Sequence, residues 1–263
     1  MRISIRGPVQ RKVGSLLGAH LPRRSLRPFL EQAVKRNPQD FLQVLGPLFN
    51  RTPTLATMPF DLPIDGPIAF EHLAGLFAST DLNHSVISLT IREAAYMFGL
   101  IRRMQVRKVV EIGRYKGGAT LLIAAAMRGE GDFWSIDIGQ KVTRLYEETQ
   151  ATYDRQIRAT LDRLRLQAHL IIGDSFTLVL DTGPLDLVFI DGDHTYEGVK
   201  KDFERWGRNV RIGGAVLFDD AYGAEPFRSH EDTVGRLVSE IVAGGDFVLA
   251  QKASRMAHLE RVK

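Results

Sequence analysis

The stretch Leu185–Trp206, LDLVFIDGDHTYEGVKKDFERW, changes its hydrophobic period halfway along. Its first half holds the continuous apolar run Leu187 to Ile190, the pattern of a short strand buried on both faces. From Tyr196 onward the apolar positions Tyr196, Val199, Phe203 and Trp206 recur at helical spacing, so one face of a helix packs against a core. A strand, a tight turn and an amphipathic helix make half of a parallel β-α-β unit. Between the halves stand Asp191, Asp193 and His194. Ending a buried run on unpaired charge costs several kcal/mol, which predicts that something binds at this point.

The same unit repeats along the chain. KVVEI (108–112), DFWSID (132–137), AHLIIG (168–173), LDLVFID (185–191) and GAVLFDD (214–220) read as five strands, each ending at or near an acid. Helical patterns lie between them: GATLLIAAAMRG, a long amphipathic segment from Val142 to Arg165, and the helix after His194. Beyond the fifth strand, Val234, Leu237, Val238 and Ile241 form another apolar stripe, closed by Gly244 and Gly245 as a C-cap. The tail DFVLAQKASRMAHLERV reads as two strands turning at Lys252 to Ser254. The expectation is an α/β fold: a mostly parallel seven-stranded sheet with an antiparallel C-terminal hairpin, in a domain covering 86–263. The helix LTIREAAYMFGLIRRM leads into its first strand. Residues 1–85 are punctuated by prolines from Pro22 to Pro67 and read as a helical segment that serves as a cap, in oligomerisation or in substrate binding.

Composition narrows the function classes. Of 263 residues, 44% are hydrophobic and 25% charged, ordinary for a globular protein. The longest apolar run, LLIAAAM (121–127), is far short of a membrane span, and the N-terminus has no apolar signal region. The absence of cysteine excludes disulfides, thiolate metal sites and cysteine nucleophiles, in keeping with a cytoplasmic protein. Nine of the basic residues and two acids fall in residues 1–40, so the net charge of +4 originates in an N-terminal arm. That arm lacks the interleaved aromatics of a base-stacking surface, which argues against nucleic acid and for a solvated or subunit-packing role in a homo-oligomer.

The loop after the first strand, VVEIGRYKGGAT (109–120), spaces Gly113 and Gly117 four apart behind Glu111. A dinucleotide fold needs G-x-G-x-x-G at this place, and a wider turn with a carboxylate at its base suits a ligand carrying positive charge. Asp137 ends the second strand, where a carboxylate can accept the hydroxyls of a ribose. Gly173–Ser175, GDS, closes the third. Asp191 and the pair Asp219 and Asp220 end neighbouring strands roughly 4.8 Å apart, so three carboxylates converge at one rim, where mutual repulsion raises their pKa values or demands a cation. Hard oxygen donors suit Mg2+ or Mn2+.

Together these features carry a resemblance. E-x-G-x-x-x-G at 111–117 resembles motif I of class I S-adenosylmethionine methyltransferases, and the GDS turn resembles the family's adenine-binding position. FIDGDHTYEGVKKDFERW followed by GGAVLFDD is similar to the metal-dependent O-methyltransferases that act on macrolide and aminocoumarin sugars, and to cephalosporin hydroxylase-like proteins. The likeness covers 91–262. It implies a Rossmann-like class I methyltransferase fold and S-adenosylmethionine held by Glu111, Gly113, Gly117, Asp137, Asp174, Ser175 and Asp191. It further implies a metal on Asp191, Asp219 and Asp220, although the family often has Glu in the place of Asp219. The family's general base lies two or three positions past the first ligand, which here gives Asp193 or His194.

The implied reaction is Mg-dependent methylation of a hydroxyl on a small molecule, such as a sugar of a natural product. Alternatives are an RNA methyltransferase using the basic arm and a non-catalytic cofactor-binding subunit. His194 is the preferred base, because an imidazole near its ordinary pKa of ~6.5 is largely neutral at pH 7. Asp193 then orients the imidazole, or exchanges roles with it. Arg114, Tyr115, His84 and Tyr222 border the substrate side, Phe203 and Trp206 belong to the core, and the remaining histidines have no catalytic part.

Overall fold

The computed structural model describes residues 55, 66–77, 86–139, 150–222 and 231–263. Helix α1 (Ile91–Met104) leads into β1 (Lys108–Ile112), followed by α2 (Gly118–Met127), β2 (Asp132–Asp137), α3 (Gln150–Arg163), β3 (His169–Ile172) and β4 (Leu185–Ile190). The chain continues through α4 (Tyr196–Arg205), β5 (Val210–Phe218), α5 (Glu231–Gly244), β6 (Phe247–Ala253) and β7 (Met256–Arg261). One seven-stranded sheet results, in the order β3-β2-β1-β4-β5-β7-β6. The first five strands pair in parallel, and β7 lies antiparallel between β5 and β6. This is the mostly parallel sheet with an antiparallel terminal hairpin that the sequence predicts.

Each strand feeds two cores because successive side chains point to opposite faces. Val109, Leu187 and Phe189 face α1, α2 and α3, where they meet Met97, Leu121 and Ile157. Val110, Ile112, Val188 and Ile190 face α4 and α5, packed with Val199, Phe203, Trp206 and Leu237. Helix α2 is buried along its whole length, which explains why its sequence is apolar on every side. Helix α1 starts with a capping box: Thr90 Oγ1 accepts the Glu93 amide at 3.3 Å and Glu93 Oε2 accepts the Thr90 amide at 2.6 Å.

Two boundaries differ from the sequence reading. β5 begins at Val210, four residues before the expected Gly214, because Gly213 (φ 74°) is absorbed where the pairing with β4 shifts register between Leu185 and Leu187. A glycine pair that reads as a strand start is thus an irregularity inside a longer strand. The expected Val142–Arg165 helix is described from Gln150. The N-terminal segment, the basic arm and His84 lie outside the described residues, apart from Leu55, a 3-10 helix at Phe70–Phe77 and residues 66–69. Among the described residues no helix is long and apolar enough to cross a membrane.

The order of the sheet positions the site. From β1 the chain proceeds outward through β2 to β3, then returns to β4 on the other side of β1, so the loops leaving β1 and β4 diverge. A crevice opens where they part, outside the carboxyl ends of the strands.

Candidate active site

A cavity of about 630 Å3 occupies that crevice, walled by residues following β1, β2, β3 and β4 and by the first turns of α4. Its floor depends on Gly113. With φ 87°, this residue brings β1 so close to β4 that a Cβ there would lie 2.0 Å from the Asp191 carbonyl oxygen. Gly117 (φ 84°) serves helix packing instead, since a Cβ would stand 2.3 Å from Ile157 Cγ1 and hold α3 off the loop. Gly117 does not line the cavity.

Asp137 lines the cavity at the end of β2. Its Oδ2 accepts the amides of Arg114 (2.9 Å) and Tyr115 (3.3 Å), and its Oδ1 accepts that of Gly139 (2.8 Å). The β1 loop is therefore folded around this carboxylate, which keeps lone pairs for a ligand. Asp174 and Ser175 line the same cavity from the turn after β3, and Asp191 and Asp193 from the turn after β4.

Glu111 stands apart from this group. The alternation of β1 turns its side chain away from the cavity and under α2, where Oε2 accepts the hydroxyls of Thr120 and Ser135. It is fully buried, and burial pushes its carboxyl up to about 7 against the pull of those hydrogen bonds. The structure thus places Glu111, expected as a cofactor contact, in the core rather than at the cavity wall. Arg114 also turns inward: its guanidinium pairs with both oxygens of Asp154 at 2.9 Å, tying α3 to the β1 loop, rather than bordering a substrate.

The second feature is a charged cluster at the tips of β4 and β5. His194 places Nε2 3.3 Å from Asp191 Oδ1 and Nδ1 3.4 Å from Asp220 Oδ2. Arg255, from the β6–β7 turn, donates to Asp220 Oδ1 at 2.6 Å and stands 4.0 Å from Asp219 and 3.6 Å from Glu93. Burial and the charge of Asp191 hold the Asp219 carboxyl well above the usual carboxylate range, and Asp191 is raised by its own burial. The hydrogen bond to Asp191 raises His194 above its ordinary value against the effect of burial. The imidazole is thus drawn toward its charged form, contrary to the expectation of a largely neutral ring. Its orienting partners are Asp191 and Asp220; Asp193 instead accepts the Thr195 amide at 2.9 Å at the start of α4. Asp191 is the member of this cluster that also lines the cavity.

In charge and donor type the cluster fits a divalent ion. Four carboxylates, those of Glu93, Asp191, Asp219 and Asp220, oppose Arg255 and His194, and Asp219 Oδ1 is buried with no hydrogen-bond partner. The arrangement differs from the expected convergence on an ion: among the described residues, no group of three or more such side chains is set to hold a metal. His194 and Arg255 engage the carboxylate oxygens instead.

Sequence reasoning missed Arg255, Glu93, Asp154 and Asp202. Arg255 and Glu93 are brought to the cluster by tertiary pairing, and nothing local marks them. Asp202 had a signal, since it falls on the buried stripe of α4 between Val199 and Phe203. Tyr222 borders the cluster through its backbone, donating its amide to the Arg255 carbonyl at 2.9 Å.

Residues 110–221 match a family model described as a methyltransferase domain. Among curated proteins, a probable caffeoyl-CoA O-methyltransferase 3 of Dictyostelium discoideum is 27% identical over 46% of this chain and 46% of its own length. The chain spans less than two thirds of the length of the curated relatives it matches. Among solved structures, an O-methyltransferase from Bacillus cereus in complex with SAH is similar with a TM-score of 0.50 and 17% identity, covering 77% of this chain and 94% of that one. The O-methyltransferase NovP has a TM-score of 0.52 and 18% identity over 68% of this chain and 83% of its own. At these identities the structural likeness concerns the fold.

Proposed function

We propose that this chain, whose residues 110–221 match a methyltransferase-domain family model within a class I methyltransferase fold, transfers a methyl group from S-adenosylmethionine to a hydroxyl of a small molecule. The observation that carries the reading is the cavity shared by Asp137 and Asp191: a ribose-competent carboxylate at one end, and at the other the acid that begins the charged cluster. In this reading Asp137 takes the ribose hydroxyls, and the Gly113 loop approaches the positively charged methionine part of the donor. Asp191 stands where the donor cavity meets the charged cluster, so the acceptor oxygen attacks the donor's methyl beside it and the thioether, S-adenosylhomocysteine, leaves.

Methyl transfer from a sulfonium is an in-line displacement, so positioning supplies much of the rate. The acceptor hydroxyl must also lose its proton. His194 stands beside the cavity, and its neutral form, in which one ring nitrogen donates to a carboxylate and the other keeps its lone pair, receives that proton. Asp191 and Asp220 then stabilise the imidazolium that forms. Asp191, Asp219 and Asp220 would hold Mg2+ or Mn2+, once freed of their present partners. Such an ion supplies positive charge that makes a hydroxyl easier to deprotonate. A sugar or a vicinal diol is the acceptor class that suits this cluster, since it offers two neighbouring oxygens.

The test is incubation with S-adenosylmethionine and a panel of sugars, catechols and simple alcohols, with and without chelator, read by mass spectrometry for an added methyl group. Methylated products confined to oxygen acceptors are expected, with yield lowered by the chelator. Products unaffected by chelation would remove the ion and leave the methyl transfer. No product from any acceptor, despite donor binding, would overturn the catalytic reading.

A further inference from the structure

Helix α4 carries an acid on its buried face. Asp202 is 4% exposed, yet it lines the cavity. Its Oδ1 accepts the Ser175 hydroxyl at 2.5 Å, and the Ser175 carbonyl accepts the Trp206 indole N–H at 2.9 Å, so Ser175, tethered beside α4, holds the carboxyl in place. Its other oxygen, Oδ2, lies 3.6 Å from where a Cβ on the cavity-lining Gly192 would stand. Burial pushes the Asp202 carboxyl up to about 6, opposed by the Ser175 hydrogen bond and aided by the charges of Asp193 and Asp174. A buried carboxylate with one oxygen turned to a cavity calls for a hydrogen-bond donor there.

Asp174, to which the family resemblance gives the adenine amino group, is differently placed. It is exposed, and its Oδ1 accepts the Phe176 amide at 2.9 Å in a local side-chain turn. Near it two large apolar side chains that line the cavity are unusually open: Ile138 is 57% exposed and Phe176 is 49% exposed. Apolar surface of this kind at a cavity rim suits the face of a flat ring.

We infer that Asp202 is the base-reading residue of the donor pocket: its Oδ2 accepts the exocyclic amine of a purine whose face lies against Ile138 and Phe176, with Ser175 holding the carboxylate in that orientation. The inference rests on the methyl-donor reading above and assigns the base-reading contact to α4 rather than to Asp174. A carboxylate accepts from the amine of adenine and repels the carbonyl oxygen of hypoxanthine, so the pocket discriminates between the two bases.

The experiment compares binding of S-adenosylhomocysteine and its hypoxanthine analogue, S-inosylhomocysteine, by titration calorimetry on the full chain. The wild type is expected to prefer the adenosyl ligand by on the order of 100-fold. Asp202→Asn should lower adenosyl affinity roughly tenfold and reduce the preference below about threefold, because an amide can turn to donate to the carbonyl. Asp174→Asn should keep the preference. Ser175→Ala leaves the α4 carboxyl in place and should erode the preference by several-fold, which serves if Asp202→Asn does not fold. A preference retained in both Asp202→Asn and Ser175→Ala, or lost in Asp174→Asn, would overturn the inference while leaving the donor reading intact. Failure of the wild type to bind S-adenosylhomocysteine would overturn both.

Discussion

On the β1–β3 side of the rim the key carboxylate is met by backbone: Asp137 receives three amides from two loops. On the β4–β5 side carboxylates are met by side chains, with His194 between Asp191 and Asp220 and Arg255 reaching Asp220, Asp219 and Glu93. Backbone donors are placed by the fold itself and need no further ordering, so the first half is shaped before a ligand arrives. The second half is an excess of buried negative charge held by two movable cations, one of them ionisable. Under the proposed function, the first half serves recognition of the donor and the cluster half serves chemistry that changes charge.

The sharpest way to break this division is His194→Ala. If the cluster does chemistry only, turnover should fall by about 10^2 to 10^4, with S-adenosylhomocysteine affinity changed less than about threefold. Steady-state kinetics beside calorimetry reads both. A loss of affinity as large as the loss of turnover would show that the two halves are not separate.

Arg255→Met addresses the charge excess directly. Removing one partner from a largely buried ion-pair network costs about 3 to 5 kcal/mol, which should appear as a lowered midpoint in urea. If divalent ions can enter among Asp191, Asp219 and Asp220, added Mg2+ should raise the melting temperature of this variant more than that of the wild type. Equal response of the two proteins to Mg2+ would argue that Arg255 does not compete for those oxygens.

Glu111 is the contrast case, a buried acid at a strand end that belongs to neither half. Its pKa is raised from 4.5 to about 7 in the folded chain, so the native state keeps a proton that the unfolded chain releases. The unfolded state binds fewer protons between those values, and stability must fall as pH rises through this window, then level off. The loss amounts to roughly 3 kcal/mol. Glu111→Gln should remove that slope, so its stability relative to wild type improves from pH 5 to pH 8 in denaturant titrations. A parallel pH dependence in both proteins would mean the buried carboxyl ionises freely.

The same contrast explains what the sequence could reveal. Periodicity displayed the sheet, because strands buried on both faces and helices with one apolar stripe follow from local pattern, as in Leu185–Trp206. The tips Asp137 and Asp191 were legible because acids are conspicuous at the end of an apolar run. Glu111 was read by the same rule, from its proximity to a glycine loop, while strand alternation sets the direction of its side chain. Arg255 and Glu93 were invisible, since the hairpin turn reaches the cluster through pairing of β7 with β5 and Glu93 reaches it from α1 through the Arg255 backbone amide. Asp202 was hidden in plain view, as a charged residue whose position on the α4 stripe outweighs its polarity.

The smallest expected effect tests the seam between the halves. Thr195 caps α4, its Oγ1 accepting the Gly198 amide at 3.1 Å, and it follows His194 while lining the cavity. Thr195→Ala should cost about 1 kcal/mol of stability by loss of the cap. Helix α4 enters the donor half through Asp202, whereas His194 is fixed by carboxylates just past β4 and β5. The division therefore expects adenosyl affinity to weaken slightly, by less than about threefold, with the rate at saturating donor preserved. A variant whose rate falls while its donor affinity holds would show that the cap positions His194, and the boundary between recognition and chemistry would then run through the first turn of α4 rather than before it.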